Sequence, residues 1–342
     1  MRVDYARPAP AVATTCVILC AMHGLGAALL AVVVAVGGCS VVSVDLTPRI
    51  KPLEEETVEG RGTAKILLTD VSGFITDDPP SSGLGLGPSP PRVPLLVRLR
   101  EELKKAAEDK DVRALVVRLN TPGGTVTASD IIYRELILFR ERTKVPVVAV
   151  MMDVAASGGY YIALAADTIV AHPTTVTGSI GTIMITANVE GLMQKLGVAA
   201  NTIKSAEHKD MGSPFRTLTP EERGIFQSVI DELQRQFVGK VVERRGIPAD
   251  TARGLADGRI YTAQQALGHR LVDAIGYVPD AIDAARRASG ATEAKVVVYK
   301  RPRQYRATYY AEARSEASSL EGVAHFAAVA GTGPKFLYLW AP

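Results

Sequence analysis

Ser157 stands between a valine-rich run, Val145-Pro146-Val147-Val148-Ala149-Val150-Met151-Met152, and the helix-like run Ile162-Ala163-Leu164-Ala165-Ala166, and Gly158 and Gly159 follow it at once. A serine at such a strand-to-helix turn can act as a nucleophile. The first amides of a helix have no intrahelical partner and point, with the positive end of the macrodipole, at any oxyanion placed there. The two glycines remove side chains that would hold a substrate carbonyl away from those amides. The plainer reading is a helix cap followed by a tight turn, which is the commoner role of a serine in this place. Pro122-Gly123-Gly124 is a second glycine turn, and acyl transfer needs amide donors from two directions around one oxyanion.

A serine nucleophile also needs a base. His172 and His208 are available, but neither has a context that fixes an imidazole. Lysine is the other recognised base for serine, provided that its surroundings hold it neutral. The polar loop Lys204-Ser205-Ala206-Glu207-His208-Lys209-Asp210-Met211 offers two lysines, and spacing alone does not choose between them. Most loop lysines are simply solvated.

The elements that must position these groups are legible from periodicity. Ala64-Lys65-Ile66-Leu67-Leu68 reads as a first strand, Leu95 to Ala107 as an amphipathic helix, and Ala114-Leu115-Val116-Val117 as a strand. Then come the glycine turn, a helix to about Arg142, a strand around Val148 and the serine turn with its helix. This βαβα alternation predicts an α/β fold with a parallel sheet whose connections bring both turns to the same sheet end. Thr168-Ile169-Val170-Ala171 reads as a further strand, followed by the glycine-bracketed Gly178-Ser179-Ile180-Gly181. Thr219-Pro220-Glu221-Glu222 is a capping box that starts a long helix with Phe226, Val229, Ile230, Leu233, Phe237 and Val241 on one face. Between the first strand and first helix, residues 77–91 are too rich in proline and glycine for regular structure.

Composition narrows the function classes. With 47% hydrophobic and 22% charged residues over 342 positions, the chain has the makings of a sizeable core. A net charge of +3, without a basic cluster interleaved with aromatics, argues against a nucleic-acid partner. Cys16, Cys20 and Cys39 all precede the globular part, and His23, His172, His208, His269 and His325 lack metal-binding spacing, so no metal is expected.

From Pro8 to Val44 there is no Asp, Glu, Lys or Arg, and Val17 to Val36 is strongly apolar behind Arg2 and Arg7. This is a membrane-targeting segment, either an export signal or a span of about 20 residues. Val36-Gly37-Gly38-Cys39 resembles the bacterial lipobox, which would make Cys39 a lipidation site. A plain transmembrane helix is the alternative. Either way the positive-inside rule leaves the bulk of the protein on the extracytoplasmic side, attached to the membrane. The expected organisation is a signal or anchor over 1–39, a stalk over 40–62, a catalytic domain over 63–290 and a C-terminal extension over 291–342.

Four stretches taken together carry a resemblance: Arg118-Leu119-Asn120-Thr121-Pro122-Gly123-Gly124, Ala155-Ala156-Ser157-Gly158-Gly159-Tyr160-Tyr161-Ile162-Ala163, Gly178-Ser179-Ile180-Gly181 and Lys204-Ser205-Ala206-Glu207-His208-Lys209-Asp210. In this order and spacing, from about Lys65 to Ile282, the chain resembles the signal peptide peptidase A family, Ser-Lys peptidases with a ClpP/crotonase-like fold of repeated ββα units. The resemblance implies Ser157 as nucleophile and Lys209 as general base, with Lys204 a structural neighbour. It implies an oxyanion hole from the amides of Gly158 and the Gly123-Gly124 turn, Gly124 foremost, and Ser179 orienting Lys209. It further implies hydrophobic peptide substrates such as signal peptide remnants, a homo-oligomeric ring of the short, single-copy form, and no cofactor. Ala206 and Ala263 depart from glycines common in the family, away from the dyad. Two rivals remain: an acyl-CoA enzyme on the same fold, which would need neither Ser157 nor Lys209, and a membrane-tethered assembly protein without peptidase function.

Overall fold

Alternation of apolar residues on consecutive strands builds the centre of the molecule. The computed structural model describes residues 50–77, 93–302, 304–311 and 335–340. The central strands in chain order are β1 (Glu54–Glu59), β2 (Lys65–Ser72), β3 (Val112–Thr121), β5 (Val147–Ala156) and β6 (Thr168–Ala171). β7 (Val176–Gly178), β9 (Ile260–Thr262), β10 (Ala274–Ile275) and β11 (Lys295–Lys300) complete the sheet, whose order is β1-β11-β2-β3-β5-β6-β10, with β7 paired to β5 and β9. Only β1 on β11 and β7 on β9 are antiparallel. The fold is thus α/β with a largely parallel sheet, as the strand-helix alternation predicts.

A parallel sheet is covered on both faces because its crossover helices lie there. Leu67, Leu115, Leu119, Ala149 and Met151 pack on one face with α1 (Leu95–Glu108), α2 (Val126–Thr143) and α3 (Gly158–Ala163). Ile66, Leu68, Val116, Val148 and Val150 point the other way, onto Ala281, Ile282 and Ala285 of α8 (Val278–Ser289). In chain order α4 (Glu190–Lys195), α5 (Pro220–Arg245), α6 (Ala249–Leu255) and α7 (Ala263–Gly268) come between α3 and α8.

The sheet takes strands from both stretches placed outside the 63–290 domain. The acidic run Glu54-Glu55-Glu56 begins β1, because Glu55 meets Lys65 at 2.9 Å and Lys295 at 3.4 Å, while Glu56 pairs with Lys300. β11 inserts between β1 and β2. The capping box at Thr219 forms with both reciprocal bonds, and α5 ends on Gly246 in the left-handed region. The expected single apolar face of α5 is only partly buried: Phe226, Phe237 and Val241 are inside, but Val229 is exposed. The proline- and glycine-rich loop and the segment through Cys39 lie outside the described residues.

A second, three-stranded sheet has the order β4 (Gly123–Thr125), β12 (Lys335–Leu339), β8 (Ile183–Ile185), antiparallel throughout. It lies at the carboxyl end of β3 and contains the first glycine turn.

Candidate active site

β3 and β5 run parallel with Thr121 opposite Ala155, so the turns that follow them emerge side by side. At the end of β5 the backbone of Ser157 takes φ 52°, ψ −110°, a conformation costly to a residue with a Cβ. Two hydrogen bonds impose it: the Ser157 amide donates to the Gly178 carbonyl at 2.8 Å, and the Tyr161 amide donates to the Ser157 carbonyl at 2.9 Å. The helix that follows is buried from Gly158 to Ala163, which locks the turn from beneath. Ser157 itself is fully buried, and among the described residues its Oγ has only a long 3.5 Å contact to the Gly181 carbonyl. At that distance the hydroxyl is not tied into a strong hydrogen bond.

The glycines are dictated by space. A Cβ on Gly123, whose φ is 104°, would fall 2.0 Å from the Tyr338 carbonyl oxygen and 2.9 Å from the Gly158 nitrogen. One on Gly124 would lie 1.9 Å from the Ile75 carbonyl oxygen, and one on Gly158 would lie 2.4 Å from Ser129 Oγ. The first turn is held by Ile75, which donates to the Gly123 carbonyl at 2.9 Å and accepts from the Thr125 amide at 2.8 Å. The two turns therefore pack backbone to backbone beside the serine, as the sheet topology requires.

Ser179 follows Gly178, the residue that clasps the Ser157 amide. It is nearly buried, with φ 47°, and its amide donates to the Arg259 carbonyl at 2.8 Å. Lys209 is placed otherwise. It lies on a 3₁₀ turn (Glu207–Asp210), exposed, and among the described residues its side chain forms no hydrogen bond or ion pair. The turn is secured by its neighbours. Lys204 Nζ donates to the Glu207 carbonyl at 2.7 Å and to Asp210 Oδ1 at 2.8 Å, and Arg216 bridges Asp210 and Glu222. The Arg216 guanidinium holds Asp210 far below the usual carboxylate range and Glu222 down to about 2. A single chain thus joins Ser157, Gly124, Gly158 and Ser179 but does not bond Lys209 to them.

The histidines are engaged elsewhere: His172 Nδ1 lies 2.8 Å from Thr174 Oγ1, and His208 lies 3.7 Å from Glu221. Among the described residues no group of His, Cys, Asp or Glu could hold a metal ion. Sequence reasoning missed Ile75 and Ser129, which shape the glycine turns, and Tyr338, whose strand lies on Gly124. The run Phe336-Leu337-Tyr338-Leu339-Trp340 has the length and composition of a strand. Its register against Gly123–Thr125 has no signal in the sequence.

A buried serine in a strained strand-to-helix turn, packed against a second glycine turn on an α/β sheet, is the arrangement of a serine peptidase. The comparisons agree: residues 140–292 match peptidase family S49. A protein of Enterococcus faecium assigned the name signal peptide peptidase SppA is 36% identical over 247 residues, 72% of this chain and 70% of that one. A protein of Synechocystis named as a protease is 43% identical over 192 residues, 56% of this chain and 69% of that one. The chloroplastic serine protease SPPA of Arabidopsis thaliana is 38% identical over 191 residues, 56% of this chain and 28% of that one. The chain belongs to peptidase family S49, the signal peptide peptidase A family.

Proposed function

We propose that this protein is a membrane-attached endopeptidase of ClpP/crotonase-like fold in which Ser157 is the nucleophile and Lys209 the general base. The observation that carries the reading is the Ser157 turn: backbone strain is retained there beside two amide-bearing glycine turns. Ser157 Oγ attacks the peptide carbonyl while its proton passes to the neutral Lys209 amine. The Gly158 and Gly124 amides hold the resulting oxyanion, and Ser179 orients the lysine. Collapse breaks the C–N bond, the lysine returns the proton to the leaving amine, and water then hydrolyses the acyl-enzyme.

Lys209 reaches Ser157 from a second copy of the chain. Supporting this is the projecting arm that carries it, on which Leu192, Leu196, Val198, Ile203 and Phe215 are exposed in the single chain. Apolar groups gathered on one arm call for a partner, and a ring closed by such contacts would put a base at each nucleophile. The Ser157→Ala and Lys209→Ala proteins should each be inactive alone, and assembled together they should recover a fraction of the activity. Inactive singles whose mixture stays inactive would place the base within one chain; an active Lys209→Ala protein would remove Lys209 from the mechanism.

The substrates proposed are hydrophobic peptides, including signal peptide remnants, in keeping with the name of the Enterococcus relative. The membrane attachment rests on the apolar segment ending at Cys39, which lies outside the described residues; among those described, no helix is long and apolar enough to cross a membrane. Mass spectrometry of the extracted protein tests it: a chain beginning at a modified Cys39 supports lipid, and an intact Met1 with unmodified Cys39 supports a transmembrane anchor.

A further inference from the structure

The helix that follows Ser157 is held at its far end by two arginines. α3 stops at Ala163, and the carbonyls of Leu164, Ala165 and Ala166 beyond it have no helical amide ahead to accept from. All three residues are buried, so their oxygens depend on partners from the protein. Arg244 Nε donates to the Leu164 carbonyl at 2.8 Å and its Nη2 to the Ala166 carbonyl at 3.2 Å, while Arg140 Nη1 donates to the Ala165 carbonyl at 2.9 Å. Arg140 is itself braced: its Nε donates to Asp167 Oδ2 at 3.0 Å, and that carboxylate accepts from the Val147 amide at 2.9 Å. Val147 begins β5, the strand that carries the serine turn at its other end.

The two arginines come from different helices, Arg140 from the last turn of α2 and Arg244 from the last turn of α5. Three helix ends with partial negative charge therefore meet here, which lets two guanidinium groups stand together. Burial, and then the nearness of Arg244, push Arg140 below its ordinary range. Two tyrosines also tie α3 down, Tyr160 to the Leu271 carbonyl at 3.0 Å and Tyr161 to Asp130 at 2.7 Å, but these bonds leave from its flank. Among the described residues, the side-chain bonds that reach its last carbonyls are those of the arginines. Leu164 is six residues from Gly158, about 9 Å at a rise of about 1.5 Å per residue. The helix between is buried throughout, and a close-packed segment passes a displacement of one end on to the other.

We propose that Arg140 and Arg244 are positioning residues of the hydrolysis: by holding the carbonyls at the end of α3 they set where its first amide, that of Gly158, stands for the oxyanion. The inference rests on Ser157 as nucleophile. An amide that stabilises an oxyanion acts only from the right place, and misplacement by about 1 Å costs about 10²-fold in rate. Both arginines border a cleft also lined by Tyr133 and Lys240, so shortening either one leaves no sealed cavity in the core.

The test compares Arg244→Gln with Arg245→Gln in the full-length protein. Arg245 is the next residue of α5 and also half-buried, but its bonds go to the Arg270 carbonyl at 2.7 Å and to Asp273, away from α3. Arg244→Gln should lower kcat on a fluorogenic peptide by about tenfold to 10²-fold with KM within about twofold, the mark of an interaction made in the transition state. Its affinity for a peptide boronate, whose adduct with the serine is tetrahedral and negatively charged, should fall by a similar factor. Arg245→Gln should keep kcat within about twofold even where its melting temperature falls as far. Arg244→Lys, which keeps the charge but reaches fewer carbonyls, should lie between, and with Arg140→Lys it carries the test if Arg244→Gln does not fold. Equal losses of kcat in the 244 and 245 variants, or a loss confined to KM, would overturn the positioning role. A Ser157→Ala protein that still hydrolyses the peptide would overturn the nucleophile first, and the role of the arginines with it.

Discussion

Gly123 and Gly158 meet with no room for a side chain between them: a Cβ on Gly123 would stand 2.9 Å from the Gly158 nitrogen, and one on Gly158 would stand 3.3 Å from the Gly123 Cα. This contact makes one site of two turns that lie more than thirty residues apart in the chain.

Adding a methyl group there should abolish catalysis. In Gly123→Ala the φ of 104° is unfavourable and the methyl group meets the Tyr338 carbonyl, so the turn must move and its amides with it. A fall in kcat of about 10²-fold or more is expected, the scale of losing an oxyanion donor. In Gly158→Ala the first obstacle is Ser129 Oγ at 2.4 Å. Adding Ser129→Ala should therefore restore part of the activity of Gly158→Ala and none of that of Gly123→Ala. Steady-state kinetics of the four proteins checks this.

Charge on the apolar arm should undo assembly and activity together. Ile203 is fully exposed and Leu196 is 69% exposed in the single chain. Ile203→Asp and Leu196→Asp should give smaller species in sedimentation and lose most of the peptidase activity, with a melting temperature of the isolated chain close to that of the parent. A variant that stays assembled and active would show that the arm is not the interface.

Acid should release the lysine loop before the core yields. Glu222 and Asp210 have folded pKa values depressed by Arg216, to about 2 for Glu222 from an ordinary value of 4.5. A depressed carboxylate contributes stability that is fully present above its unfolded pKa and is lost as pH falls through its folded pKa. The loss thus runs from about pH 4.5 down to about pH 2. Pepsin digestion across this window should cut within 204–217 first, and Arg216→Gln should weaken the pH dependence of that cleavage, leaving the part that Lys204 contributes through Asp210.

The buried charges behind the sheet should be intolerant of losing their anion. Asp70 is fully buried, with Arg118 Nε at 2.7 Å from Oδ1 and Arg306 on Oδ2, while Arg118 Nη1 donates to the Tyr309 carbonyl at 2.6 Å. Asp70→Asn leaves two guanidinium groups buried without a compensating charge, at a cost of about 3–5 kcal/mol. Urea unfolding should show this as a lower midpoint at similar slope. Arg306→Met should cost less, since it removes a charge as well as a bond.

The sequence by itself determined the parallel α/β core, because valine-rich runs alternating with capped, amphipathic helices leave few other ways to bury both faces of a sheet. It also determined the serine and glycine turns, because those residue types and their spacing are local demands of backbone geometry. Three matters waited on the tertiary structure. Glu54–Glu59 looked like a charged stalk, since two of its lysine partners, Lys295 and Lys300, lie far along the chain and only the sheet brings them near. The lysines of the 204–210 loop could be matched to a motif, but their exposure in the single chain follows from how far the arm projects, which no local pattern encodes. The alignment of Tyr338 with Gly124 was hidden for the same reason: a ladder between segments more than two hundred residues apart is fixed by which edge the folded sheet leaves open, and that edge exists only after folding.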